Sequence, residues 1–253
     1  MATALVTGAS GGIGRELSLI LAREGYDIIA VARRAEELEA LASEIRERYG
    51  RDVTVIPCDL TAPGVISSLP EDADVLINNA GFGDYGPFVE CDADKQVRMI
   101  ELNVRALTEL TRRILPGMVA RGKGKIMNVA SVAAFEPGPL MSVYYATKAY
   151  VLSFSEALQE ELRGTGVTVT ALCPGPTNTG FAKTANADGA NLFKEAAGAD
   201  VRKVAEYGYR CMSRGKTVAV CGIVFKISVL FIRALPRAVV RRLIHGIQAR
   251  TSK

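Results

Sequence analysis

Ala4-Leu-Val-Thr-Gly-Ala-Ser-Gly-Gly-Ile-Gly-Arg-Glu-Leu-Ser-Leu-Ile-Leu-Ala-Arg-Glu24 decides the fold. Ala4–Thr7 reads as a strand, Thr7–Gly14 as a glycine-rich turn, and Gly12–Glu24 carries apolar residues at helical spacing. Glycines there let the backbone turn tightly and approach a pyrophosphate, whose charge then sits on free N–H groups at a helix N-terminus. This strand–turn–helix context predicts nucleotide binding by Gly8, Ser10, Gly12, Ile13 and Gly14. The spacing reads two ways, as G-x-x-x-G-x-G over Gly8, Gly12 and Gly14 or as G-x-x-G-x-x-G over Gly8, Gly11 and Gly14.

Outward from this turn, strand-like and helical segments alternate. Further strands are expected at Ile28–Ala32, Val53–Pro57, Val75–Asn79, Lys125–Ala130, Val167–Leu172 and Thr217–Cys221. Helices are expected at Ala35–Tyr49, Asp94–Arg121 and Ser142–Arg163, with at most a short one in Thr61–Leu69, which holds a Pro and a Gly. Continuous apolar strands separated by helices predict an α/β fold, a Rossmann-type doubly wound parallel sheet of about seven strands with helices on both faces. No repeat, low-complexity tract or linker divides the chain, so one domain over residues 1–253 is expected.

Composition fits a globular protein, with 49% hydrophobic and 23% charged residues, which excludes a disordered class. Five widely spaced cysteines without a Cys-x-x-Cys imply a reduced chain with no structural metal. The start, Met1-Ala-Thr-Ala-Leu-Val-Thr, has no basic region of a signal peptide, so a cytoplasmic protein is expected. Charge is uneven. After Glu206 there are ten basic residues and no acidic one, whereas the chain up to that point has 21 basic and 27 acidic.

Three more loops follow strands on the edge that carries the glycine turn. After the second strand stand Arg33 and Arg34, where an NAD-preferring fold places a carboxylate for the ribose 2′-hydroxyl. Guanidinium donors instead match a 2′-phosphate. NADP(H) is therefore expected over NAD(H), with Arg33 the better candidate. Asp59-Leu60 follows the third strand and could meet an adenine; Asn79-Ala80-Gly81 follows the fourth. Each of these could equally be an Asx-type turn.

The fifth strand ends at Ser131, and a helical pattern from Ser142 places Tyr144 and Lys148 at i and i+4, one above the other. A phenol with a reference pKa near ~10 is a poor acid or base at neutral pH, and a nearby ammonium would lower it. That pair is expected to supply a usable proton. Tyr145, on another face, is expected to pack.

Together these residues resemble the short-chain dehydrogenase/reductase superfamily over roughly residues 3 to 180. The resemblance is carried by Thr7-Gly-x-x-x-Gly-x-Gly14, Asn78-Asn-Ala-Gly81, Asn103 in Glu-Leu-Asn-Val, Ser131, Tyr144-x-x-x-Lys148 and Pro174-Gly-Pro-Thr-Asn-Thr179. It implies an NADP(H)-preferring oxidoreductase that interconverts a carbonyl and an alcohol, with Tyr144 as acid/base. Lys148 would lower the phenol pKa and hold the nicotinamide ribose, Ser131 would stabilise charge on the carbonyl, and Asn103 would hold a water on the proton path. Pro174, Gly175, Thr177 and Thr179 would grip the nicotinamide carboxamide. Residues 178–198 correspond to the family's substrate lid, and assembly as a homodimer or homotetramer is implied. The alternative is a non-catalytic NADP(H)-binding sensor or scaffold, which would have no need of the phenol and ammonium pair.

The tail, 222–253, departs from the common family pattern. Gly222–Leu235 is strongly apolar but short and interrupted by Lys226 and Arg233; after Pro236, Val239, Val240, Leu243, Ile244 and Ile247 form a stripe opposite Arg237, Arg241, Arg242 and Arg250. Such a basic amphipathic helix packs on its domain, lines the cleft, joins subunits or makes peripheral membrane contact. An apolar tail near the cleft hints at a lipophilic substrate. His245 lacks metal partners, and no aromatic residues interleave with the arginines as nucleic-acid binding would want.

Overall fold

The computed structural model of the chain describes residues 2–185 and 198–248. Most of the expected lid lies outside the described residues, as do Phe193, Arg250 and Lys253. Seven strands, β1 (Thr3–Thr7), β2 (Asp27–Ala32), β3 (Val53–Pro57), β4 (Val75–Asn78), β5 (Gly124–Val129), β6 (Val167–Cys173) and β7 (Val218–Val220), form one parallel sheet in the order β3-β2-β1-β4-β5-β6-β7. Each lies within two residues of its expected bounds. Because a parallel sheet is covered on both faces, successive strand residues are buried on opposite sides. Ala4 and Val6 pack under α1 (Gly12–Arg23) and α2 (Ala35–Tyr49), while Leu5 faces α5 (Leu107–Ala120) and α6 (Ser142–Glu161).

Strand order reverses between β1 and β4, which opens a crevice at their carboxyl ends. A buried polar chain fixes α6 over it. Asn78 Nδ2 donates to Thr111 Oγ1 and Asn128 Oδ1, both at 2.9 Å, and Asn128 Nδ2 donates to Ser155 Oγ on α6 at 2.9 Å.

Two helical expectations need correction. The single helix over Asp94–Arg121 is three pieces: α4 (Ala93–Ile100), a π-helical turn at Glu101–Ala106, and α5. Its apolar periodicity survives the extra residue, so the sequence pattern does not show the bulge, which falls at Asn103. Helix α8 (Val201–Ser213) was not anticipated at all. It buries Val204, Ala205, Gly208, Cys211 and Met212, and Asp200 caps it by accepting from Lys203 N at 2.9 Å. The remaining short helices are α3 (Val65–Ser68) and α7 (Phe181–Thr184).

The tail forms α9 (Ile223–Ala234) and α10 (Arg237–Gln248), broken at Pro236 as expected. The stripe of α10 is not one buried face, however. Val240, Ile244 and Gln248 are buried, while Val239, Leu243 and Ile247 are 42–50% exposed. No helix among the described residues is long and apolar enough to cross a membrane.

Candidate active site

Four loops converge at the carboxyl edge of the sheet. After β1, Gly8 and Gly12 have φ of 66° and 55°, the left-handed region glycine tolerates. A Cβ on Gly14 would lie 2.4 Å from both Asn79 Nδ2 and Gly8 O, so this glycine lets α1 start against the turn. No side chain caps α1 at Gly11, which leaves its first amide N–H groups for an anion. Ile13 is buried beneath. Asn79 clamps the turn, donating from Nδ2 to Thr7 O at 3.0 Å and Gly8 O at 3.2 Å, while Ala80 N donates to Thr7 Oγ1 at 3.0 Å. A pyrophosphate fits this cradle.

At the end of β2 the two arginines part. Arg34 Nη2 donates to Ser10 O at 2.8 Å and its Nη1 pairs with Glu37 at 2.9 Å, so its guanidinium spans the glycine turn. Arg33 is exposed and makes no hydrogen bond or ion pair among the described residues. Asp59 Oδ1 accepts from Thr61 N and Oγ1 at 2.9 and 2.8 Å, an Asx-type turn. The Thr61 backbone hydrogen bond, the Thr61 hydroxyl and the nearby Arg33 charge hold its carboxyl below the usual range. Leu60 is core.

Ser131 follows β5 with extended backbone and caps a short 3₁₀ turn, its Oγ accepting from Ala133 N at 3.1 Å. Val132 N donates to Pro174 O at 3.0 Å, tying the serine loop to the loop after β6. The next turn holds Leu140 at φ 67°, a strained setting for a branched side chain, immediately before α6. Helix α6 then presents Tyr144 and Lys148, both buried. Lys148 Nζ donates to Val129 O at 2.7 Å and would stand 3.6 Å from a Cβ on Gly81. Asn103 Nδ2 donates to Phe82 O at 2.9 Å and Thr147 Oγ1 at 3.1 Å, and its Oδ1 accepts from Phe82 N at 3.1 Å. Both ends of that amide are committed to framing the site.

The electrostatics differ from expectation. Burial pushes the Tyr144 phenol up to about 12, with a hydrogen bond to Ser131 pulling the other way. Burial also pulls Lys148 down to about 8, against the nearby Cys173. In place of the expected lowering by Lys148, the net shift of the phenol is upward and set by its own burial, since desolvation penalises phenolate and ammonium alike and both groups are buried.

In the last loop Thr177 Oγ1 donates to Gly175 O at 2.9 Å, and a Cβ on Gly12 would touch Thr179 Cγ2 at 3.2 Å, so the loop after β6 and the glycine turn after β1 face each other. Gly175 is also where Phe225 of α9 packs, 2.3 Å from the place a Cβ would occupy. Several neighbours gave little or no sequence signal. The Phe181 ring lies 5.2 Å from that of Tyr144, and Tyr145 accepts through its hydroxyl from Gln248 Nε2, whose main-chain O accepts from Tyr85 OH at 2.7 Å. Tyr145 packs as expected, but it also ties α10 to the site.

A family profile described as short chain dehydrogenase matches residues 2–190. The chain is 39% identical to a very-long-chain 3-oxoacyl-CoA reductase of Laccaria bicolor, over 66% of this chain and 52% of that protein. It is 35% identical to human 17-beta-hydroxysteroid dehydrogenase type 3, over 72% of this chain and 61% of that protein. The chain thus spans between about half and three fifths of the length of these relatives. A short-chain dehydrogenase from Sphingobium yanoikuyae solved in complex with NADPH superposes with a TM-score of 0.84 at 32% identity, covering 100% of this chain and 98% of that one.

Proposed function

Because the chain belongs to the short chain dehydrogenase family, we propose that it is an oxidoreductase that interconverts a carbonyl and an alcohol, with Tyr144 handling the proton. The observation that carries this reading is the meeting of Tyr144, Ser131 and Lys148 beside an uncapped helix N-terminus at the sheet's switch point. When bound, a nicotinamide dinucleotide supplies or accepts the hydride. Its phosphates would rest on Gly8, Ser10, Gly12 and the N-terminus of α1. Its nicotinamide end would lie between Lys148 and the Pro174–Thr179 loop.

Ser131 donates to the substrate oxygen and stabilises negative charge as it develops. Tyr144 delivers the proton. A phenol with a pKa pushed up to about 12 holds its proton at neutral pH until a substrate oxygen takes it. Asn103, its side chain bonded to Phe82 and Thr147, would hold the water leading toward Lys148 from the π-helical turn.

NADP(H) is favoured over NAD(H): β2 ends without a carboxylate, and Arg33 keeps an exposed guanidinium for a 2′-phosphate while Arg34 braces the loop. The relatives named for very-long-chain 3-oxoacyl-CoA and 17-beta-hydroxysteroid support a bulky, lipophilic substrate. So does the apolar surround of Tyr144, with Phe82, Met141 and Phe181 packed in one cluster. Phe181, at the described edge of the expected lid, packs its ring on Tyr144. Exposed Val97 and Ile100 on α4 and Tyr150 on α6 support a homo-oligomer. Five free cysteines fit a reducing, cytoplasmic compartment.

NADPH and NADH oxidation measured against a panel of ketones, aldehydes, quinones and 3-oxoacyl thioesters tests the reading. Turnover with NADPH is expected, and Tyr144→Phe is expected to abolish it while leaving cofactor affinity intact. Absence of turnover across the panel, or a Tyr144→Phe variant that keeps it, would overturn the assignment and favour the sensor.

A further inference from the structure

The outer faces of α9 and α10 are built the wrong way round for a helix pair that only closes a core. On α9, Phe225 and Val229 turn inward. The opposite row is apolar as well: Ile223, Val224, Leu230 and Phe231 are each 67–69% exposed, and Ile227 is 48% exposed. On α10 three i, i+4 rows run side by side. Val240, Ile244 and Gln248 are buried; Val239, Leu243 and Ile247 are half-exposed; Arg237, Arg241 and His245 are exposed. Eight large apolar side chains therefore share one exposed helix pair, a patch of the kind that marks an interaction surface.

What covers it follows from charge. Among residues 207–253 there is no Asp or Glu, and Arg237, Arg241 and Arg242 of α10 are all exposed. Exposed apolar side chains on a helix pair that also carries unbalanced arginines, here on the far side of α10's buried row and at Arg242, match an anionic lipid surface, where apolar side chains enter the acyl boundary and guanidinium groups remain at the headgroups. A second copy of the chain would bring the same positive charges into apposition, which disfavours self-association through this face.

We infer that α9 and α10 dock this protein on the surface of an anionic membrane without crossing it. The surface lies against the candidate site, since α9 packs Phe225 on Gly175 and α10 reaches Tyr145 and Tyr85 through Gln248. A lipophilic substrate dissolved in the bilayer would thus be presented beside Tyr144. The docking itself does not depend on the proposed reaction, so the two can fail separately.

Vesicle flotation of the full chain, with phosphatidylcholine alone and with added phosphatidylglycerol, reads the docking directly. The expected result is binding only to the anionic vesicles, weakened by salt. A Leu230→Glu, Phe231→Glu double variant should lower partitioning at least tenfold, and so should Arg241→Glu, Arg242→Glu, each with its circular dichroism and melting temperature unchanged. Failure of the native chain to float with anionic vesicles at low salt, equal binding to neutral vesicles, or folded variants that bind as well as native would each overturn the proposal. So would light scattering that shows Phe231→Glu dissociating an oligomer which, when intact, ignores vesicles.

Discussion

Lys148 passes beneath Tyr144 without pairing with its hydroxyl: its Nζ stands 5.8 Å from the centre of the phenol ring and donates to the Val129 carbonyl. The ammonium is thus held by one neutral acceptor in a buried place. Its pKa, lowered from 10.5 to about 8, means that the unfolded chain binds this proton more tightly than the fold does. Stability then rises with pH between about 8 and 10.5, and the full penalty applies below 8. At 1.36 kcal/mol per unit the penalty is on the order of 3 kcal/mol, against about 1 kcal/mol for the hydrogen bond to Val129. Lys148→Met should therefore melt several degrees above the native protein at pH 7, with the margin shrinking toward pH 10.5, while turnover is lost. A Met variant that melts lower at pH 7 would reject the sign.

Ser131 has a structural partner, Ala133 N, and a chemical one, Tyr144. Replacing it with Ala removes a cap on a single 3₁₀ turn, worth about 1 kcal/mol, so folding should survive. On the proposed reading it also removes a donor to the substrate oxygen, for which losses of about 10²–10³ in kcat are usual. Ser131→Ala is expected to lower kcat by that order with little change in the NADPH dissociation constant. A KM effect alone would make Ser131 a binding group only.

Cofactor choice should separate the two arginines. Arg33→Asp is expected to reverse the ratio of kcat/KM for NADPH over NADH, because a carboxylate would repel a 2′-phosphate and accept from a 2′-hydroxyl. Arg34→Ala should instead weaken both cofactors alike, since Arg34 bonds to Ser10 in the loop they share. Equal behaviour of the two variants would remove Arg33 from the recognition of phosphate.

Strands and the glycine turn were legible in the sequence because each is written in a local code: mostly apolar runs of three to seven residues, and glycines where backbones must approach. Spacing alone also set Tyr144 over Lys148. What it could not set was their ionisation, which depends on how completely Phe181, Tyr145 and the tail close over them. Helix α8 was also written in the sequence, with Asp200 as its cap and Val204, Ala205, Gly208, Cys211 and Met212 at helical spacing; only Gly208, where Leu172 packs, argues against a helix. Gln248 was unreadable: a polar residue four positions beyond Ile244 looks like the end of a stripe, and its bonds to Tyr145 and Tyr85 span 103 and 163 residues.

Glycines of the same fold should respond oppositely to a methyl group. Gly25, at the turn into β2, has φ 94° but nothing within 4 Å of a Cβ, so Gly25→Ala meets only backbone strain, about 1 kcal/mol. Gly14 is not in the left-handed region, yet its Cβ would press at 2.4 Å on Gly8 O and on the Asn79 amide that clamps the turn. Both obstacles belong to the cradle itself, so Gly14→Ala must open it to relieve the overlap. The expected outcome is a Gly25→Ala protein that melts slightly lower and binds NADPH normally, beside a Gly14→Ala protein whose NADPH dissociation constant rises at least tenfold. Fluorescence titration with NADPH checks both. Normal binding by Gly14→Ala would mean that the turn after β1 does not carry the dinucleotide.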